Sequence, residues 1–169
     1  GLAYPTWNLE LFEFRQRCAD ATPVEGPDLR RAAPLMREPG EQWDYGTSTD
    51  FVGLAIEAAT GMTLGAYFDE HIFQPLGMAD TRYVVAATSA QRVAARYLRD
   101  VDGTLLREPP ARAATFFGGG GGLYSTASDY LRFLSALLRL EHVADTAPLL
   151  GEASFAQMFE NQIGDGIAG

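Results

Sequence analysis

Few side chains in this sequence can move a proton or attack a carbonyl at neutral pH. All 13 basic residues are arginine, so a mechanism needing an amine base or a Schiff base must take that amine from elsewhere. No Ser-x-x-Lys occurs. The nearest imitation, Ser89-Ala-Gln-Arg92, ends in a guanidinium that cannot serve as a base at working pH. There is no G-x-S-x-G elbow, phosphate-binding loop or dinucleotide fingerprint. His71 and His142 lie far apart without metalloprotease spacing, and both read as surface or cap residues. Cys18 is the sole cysteine, which rules out an intrachain disulfide and a cysteine-rich metal site. No cofactor is expected. The glycine run 118–122 reads as a turn whose bare backbone lets a ligand or another segment come close. What remains is Pro39-Gly-Glu-Gln-Trp-Asp-Tyr45-Gly-Thr-Ser-Thr-Asp50, a phenol set just ahead of a helix. By itself, such a tyrosine is a packing residue as readily as a proton carrier.

The elements that must position this stretch are mostly helical. Residues 1–17 mix aromatic and polar side chains, and their tail, with Leu9, Leu11, Phe12 and Phe14, predicts one short helix. Residues 21–40 are broken by Pro23, Gly26, Pro27, Pro34 and Pro39 and read as loop. Thr49 or Asp50 is the expected cap of the next helix, where Phe51, Val52, Ala55, Ile56 and Ala59 recur at helical spacing. Gly61 ends it as a C′ glycine. Thr63 should cap a second helix carrying Leu64, Tyr67, Phe68 and Ile72, which Pro75 stops. Residues 95–108 predict a hairpin turning at Asp102-Gly103, closed by Pro109 and Pro110. A third helix opens at Thr126, with Asp129 as its capping-box partner and Leu131, Leu134, Leu137 and Leu138 directed inward. A last short helix holds Phe155, Met158 and Phe159. The expected fold class is mainly α with a small β-hairpin, in one domain over 1–169.

Composition sets the outer limits. At 169 residues, 47% of them hydrophobic and 11% aromatic, the chain supports a packed core. No run approaches the ~20 apolar residues of a membrane-spanning helix. A net charge of −9, scattered and without a basic patch, argues against nucleic acid or an anionic membrane as partner. Neither Gly1-Leu2 nor Ala168-Gly169 reads as a natural domain edge, so the chain is expected to be an internal portion of a longer protein.

Four ordered segments carry a family likeness. The run ending in Tyr45 resembles the PGxxFxYS-type segment of the β-lactamase and penicillin-binding-protein superfamily of serine hydrolases. Gly53-Leu-Ala-Ile-Glu57-Ala-Ala-Thr-Gly61 resembles its G-x-x-I-E-x-x-x-G helix. Phe68-Asp-Glu-His-Ile-Phe-Gln-Pro75-Leu-Gly-Met78-Ala-Asp-Thr81 is similar to its IFxPLGMxDT signature, and Gly121-Gly-Leu-Tyr-Ser125-Thr-Ala-Ser-Asp129-Tyr-Leu-Arg-Phe-Leu to its GGLxSTAxDxxRFL segment. The opening Gly1-Leu-Ala-Tyr-Pro5 looks like the stretch after HTSG in these enzymes. Within the superfamily the likeness is to carboxylesterases of family VIII, related to class C β-lactamases and D-alanyl-D-alanine carboxypeptidases.

The resemblance implies the helical region of the α/β β-lactamase/transpeptidase-like fold, with a Ser-x-x-Lys before Gly1 and sheet strands after Gly169. It implies acyl-enzyme chemistry on a small-molecule ester, with Tyr45 shuttling a proton between the serine and the leaving alcohol. Thr47 stands where lactamase-like members carry asparagine or aspartate, which favours esters over β-lactams. Together with Tyr4, Trp7, Phe116 and Phe117, which lie near segments bordering the family's cleft, Thr47 is a candidate substrate-wall residue. A free phenol titrates near ~10, so only about one in a thousand is ionised at pH 7, and a neighbouring ammonium is what would raise that share. Without a lysine the chain alone is expected to be inactive. The alternatives are a β-lactamase or carboxypeptidase, and a non-catalytic helical packing fragment. Removing the sheet should leave apolar surface through which the chain associates.

Overall fold

The computed structural model describes residues 1–18, 33–109, 116–138 and 149–162. His142 and Pro110 lie outside these residues. The helices are α1 (Leu9–Cys18), α2 (Ser48–Thr60), α3 (Leu64–Phe68), α4 (Ala127–Leu137) and α5 (Glu152–Met158). A π-helical turn (Asp69–Phe73) continues α3, and a 3-10 turn (Ala87–Arg92) precedes the hairpin β1 (Tyr97–Arg99) and β2 (Leu105–Arg107). The mainly helical class with one small hairpin is what the sequence predicts. Among the described residues no single helix is long and apolar enough to cross a membrane.

Local chemistry explains most of the boundaries. The Asn8 side-chain oxygen accepts the Leu11 N–H at 2.9 Å and caps α1, a cap absent from the sequence expectations. Gly61, at φ 70°, ends α2 and gives its N–H to the Glu57 carbonyl. The chain then turns by 84° into α3. Two side chains cap that new start: Thr63 accepts the Ala66 N–H, and Glu57 Oε1 accepts the Leu64 N–H at 2.8 Å. Pro75 does not stop the second helix alone. The Gly77 N–H reaches the Gln74 carbonyl and the Met78 N–H the Phe73 carbonyl, a Schellman closure with Gly77 at φ 65°. In the hairpin Leu98 pairs with Leu106, and Gly103, at φ 87°, closes the loop by donating to the Asp100 carbonyl.

Sequence expectations for α2 and α4 need correction. The cap of α2 is Thr47, not Thr49 or Asp50. The Asp50 carboxylate is buried and accepts the Gly120 N–H at 3.0 Å instead. In α4, Leu131 and Leu138 are 63% and 52% exposed rather than inward. The inward face is set by Asp129, Phe133 and Ala136, at i, i+4 and i+7.

That buried Asp129 explains why two of the signature segments have the residues they do. Thr126 accepts the Asp129 N–H, as an N-cap should. The Asp129 carboxylate does not turn back to complete a capping box. It accepts the Asp80 N–H at 2.8 Å, the Thr81 hydroxyl at 3.0 Å and the Arg132 guanidinium at 3.0 Å. Arg132 also donates to the Gly77 carbonyl, and Thr81 shares a hydrogen bond with Ser125. Arg82 and Tyr124 exchange backbone bonds at 3.0 and 2.9 Å. The segments 68–81 and 121–134 are therefore each other's partners. Beneath them Phe73, Leu76 and Met78 form a core, with Phe68, Ile72, Phe133, Ala136 and Leu149 against it. Their polar signature residues build structure.

Candidate active site

Tyr45 sits two residues before the cap-and-start of α2, and contacts from both chain directions fix its backbone. Its carbonyl accepts the Tyr4 N–H at 3.3 Å. A Cβ on the next residue, Gly46, would lie 2.1 Å from the Leu2 carbonyl oxygen, so only glycine lets the 1–4 segment pass there. The Tyr4 carbonyl in turn accepts the N–H groups of Trp7 and Asn8, the turn that launches α1. Tyr45 remains 60% exposed.

Its neighbours are aromatic. The Tyr4 ring centroid lies 5.6 Å away and the Trp7 ring 6.3 Å away, edge-on at 81°. A cleft of ≈ 390 Å³ opens beside Tyr45, walled by Tyr4, Gln42, Trp43, Ser48, Thr49 and Gly120. Asp44 also borders it, and its carboxylate faces the Arg37 guanidinium at 3.4 Å.

The glycine run closes the back of the site by packing on α2. A Cβ at Gly119 would sit 2.1 Å from the Thr49 carbonyl oxygen, and one at Gly118 2.6 Å from Asp50 Oδ1. Gly120, whose N–H bonds Asp50, is where this packing meets the cleft.

The predicted wall residues separate. Tyr4 lines the cleft with Tyr45, whereas Trp7 meets the Tyr45 ring without lining the cleft. Thr47 is only 6% exposed; its carbonyl accepts the Asp50 and Phe51 N–H groups, and it does not line the cleft, whereas Ser48 and Thr49 do. Phe117 stacks on Tyr83 at 4.7 Å over Gly65, and Phe116 abuts Gly118; neither lines the cleft. Trp43 is a wall residue that the sequence expectations omit. Residues i and i+2 of an extended segment share a face, so its position two before Tyr45 is the available signal.

Tyr83 shows what a structural tyrosine looks like here. It is buried, donates to the Gly118 carbonyl at 2.8 Å, and its pKa is pushed up to about 12 by burial and then by the charges of Asp50 and Glu57. It holds its proton. His71 is exposed, ring against Tyr67. Among the described residues no three His, Cys, Asp or Glu side chains gather where they could hold a metal ion.

Residues 14–166 match the sequence profile of the beta-lactamase family. The chain belongs to that family. Relatives within the wider superfamily include esterases and acyltransferases. The chain is 34% identical over 132 residues to esterase EstB of Burkholderia gladioli, covering 65% of this chain and 33% of that protein. It is 28% identical over 148 residues to monacolin J acid methylbutanoyltransferase of Aspergillus terreus, covering 82% and 36%. The solved structure of simvastatin synthase LovD from Aspergillus terreus superposes with a TM-score of 0.80 at 26% identity, over 99% of this chain and 41% of that one. These neighbours confirm the β-lactamase-like family and fold that the four sequence segments suggest. This beta-lactamase family chain spans about a third of the length of the curated relatives it matches.

Proposed function

We propose that the protein carrying this chain cleaves, or transfers, the acyl group of small carboxylic esters through an acyl-enzyme, with the Tyr45 hydroxyl as proton carrier. The observation that carries the reading is Tyr45 itself. It lies on a family segment, its backbone is clamped by the 1–4 segment, and it is exposed at the mouth of an aromatic cleft. A positioned group able to accept and return one proton contributes typically ~10²–10⁴-fold to such a reaction.

In the proposed sequence a serine oxygen attacks the ester carbonyl while its proton passes to the Tyr45 oxygen, the phenol's own proton being held by the lysine amine in the remainder of the protein. As the ester C–O bond breaks, Tyr45 returns that proton to the leaving alcohol. Water or a second alcohol then runs the same steps in reverse. The chain has no lysine, so the serine-lysine pair comes from the remainder of the protein in this proposal. A relative named esterase and one named acyltransferase fit the same acyl-enzyme, which differs only in what resolves it.

Tyr45→Phe in the whole protein tests this. Turnover of a p-nitrophenyl ester should fall by about 10²–10⁴-fold with an unchanged unfolding midpoint. Near-normal turnover refutes the role. The family match makes β-lactam hydrolysis the second reading. Turnover of nitrocefin above that of the ester would establish it in place of the first.

A further inference from the structure

We propose that Asp50 is a positioning residue for Tyr45, acting through the Gly120 backbone and Tyr4. The inference rests on the acyl-transfer reading and adds a residue that sets where the Tyr45 oxygen stands. Its basis is a buried acid tied to a distant segment. Asp50 is 2% exposed, and further chain packed around it can only deepen that burial. A buried carboxylate needs donors to offset its desolvation. The Gly120 N–H reaches Asp50 Oδ1 at 3.0 Å from 70 positions away. The first turn of α2 is a bed for that segment. Side chains at Gly118 and Gly119 would strike Asp50 Oδ1 and the Thr49 carbonyl oxygen, and one at Gly53, a turn further on, would come 3.3 Å from the Gly119 nitrogen. The Tyr83 hydroxyl donates to the Gly118 carbonyl, so the run is pinned at Gly118 as well as at Gly120.

What the pinned backbone holds in place is the wall beside Tyr45. Gly120, Thr49 and Tyr4 line the cleft together with Tyr45. From the point a Cβ would occupy on Gly120, Thr49 Oγ1 lies 3.0 Å away, the Tyr4 hydroxyl 3.2 Å and Asp50 Oδ1 3.3 Å. An alcohol, a phenol and the carboxylate therefore gather beside one bare Cα, and Gly120 is the spacer between Asp50 and Tyr4. Tyr4 carries the position onward. Its N–H bonds the Tyr45 carbonyl at 3.3 Å, and its ring lies 5.6 Å from the Tyr45 ring. Proton transfer is sensitive to such placement, because a misplacement of about 1 Å can cost ~10²-fold in rate. Loss of the Asp50 carboxylate frees Gly120 to move into the vacated space and withdraws the surface against which Tyr4 rests.

The test measures p-nitrophenyl acetate turnover by Asp50→Ala, Asp50→Asn and Asp129→Ala in the whole protein, at a temperature where circular dichroism shows each fully folded. Asp50→Ala should lower kcat by about tenfold or more, with KM within about twofold of the wild type. Asp50→Asn keeps an acceptor oxygen for the Gly120 N–H and should recover most of that loss. Asp129→Ala removes another buried carboxylate, one that does not line the cleft, and should leave kcat near the wild-type value. That contrast separates positioning from lost stability. A kcat unchanged in Asp50→Ala, or lowered equally in Asp129→Ala, overturns the proposal. If Asp50→Ala does not fold, Gly120→Ala replaces it: the added methyl meets side-chain atoms of Tyr4, Thr49 and Asp50 that can give way. The same fall in kcat is then expected at a near-normal unfolding midpoint, and an unchanged kcat overturns the proposal. Absence of turnover in the wild type refutes the acyl-transfer reading instead. Placement is then read by NMR of protein isotope-labelled at the tyrosine Cζ, where the resonance lost in Tyr45→Phe should shift in the Asp50 or Gly120 variant and hold still in Asp129→Ala. A Tyr45 resonance indifferent to those changes overturns the proposal.

Discussion

Replacing Gly119 with alanine should destabilise the protein by about 2.5–6 kcal/mol, and the figure comes from distances. An ideal Cβ there would lie 2.1 Å from the Thr49 carbonyl oxygen, 2.9 Å from its carbon and 3.4 Å from the Gly53 nitrogen. All three are backbone atoms of α2, and none can rotate away. Ordinary contact needs roughly 3.5 Å, so the glycine run and the helix must part by more than about 1 Å. The overpacking costs about 1–3 kcal/mol. Parting also breaks the bond from the Gly120 N–H to the buried Asp50 carboxylate, a charge-assisted bond worth about 1.5–3 kcal/mol. Gly121→Ala is the control: its Cβ meets nothing within 4 Å, and its φ is not positive. That variant should stay within about 0.5 kcal/mol of the wild type. Urea unfolding of both variants in the whole protein, followed by circular dichroism, reads the difference. Equal midpoints would refute the close packing of the run on α2.

Other outcomes rest on the same contacts. Asp129→Ala leaves the Asp80 N–H without its acceptor and takes one of their two partners from the Thr81 hydroxyl and Arg132, and should cost about 3 kcal/mol in urea unfolding; a cost below about 1 kcal/mol would deny the network its role. Tyr83, near ~10 when unfolded and pushed up to about 12 by burial and the Asp50 and Glu57 charges, stabilises the folded state fully below pH ~10. That contribution is lost as pH climbs toward 12, so Tyr83→Phe should flatten the alkaline limb of stability; identical limbs would contradict it. The 169-residue chain alone should self-associate, because its hairpin shows Leu98, Val101, Leu105 and Leu106 to solvent, each at least half exposed. A monomer by light scattering at micromolar concentration would count against this.

Legibility in the sequence tracks how local each cause is. Gly61, Thr63, Thr126 and the turn at Gly103 act within a few residues of themselves, and all four lie where the sequence predicts them. The cap of α2 escapes a local reading because Asp50 is engaged by Gly120 from 70 residues away. The facing of α4 escapes it because leucines are expected to define such a face. A carboxylate with partners at Asp80 and Thr81 does so instead, and nothing in a 3.6-residue pattern weighs a buried acid above a leucine. At the site, Tyr45 is legible from its segment alone, and Tyr4 and Trp7 from the opening residues. Their meeting depends on one backbone bond and one glycine contact, and Phe117 goes to Tyr83 because the run after it packs on α2.

The bond between Asp50 and Gly120 also has a bearing on synthesis. A ribosome adding roughly 5–20 residues each second needs about 4–14 s to travel the 70 positions between them. Through that interval the nascent tyrosine segment has neither its glycine backing nor its final wall. The back of the cleft is assembled by a late arrival, and a translational pause before Gly118 would prolong the time that the Asp50 carboxylate waits for the Gly120 N–H.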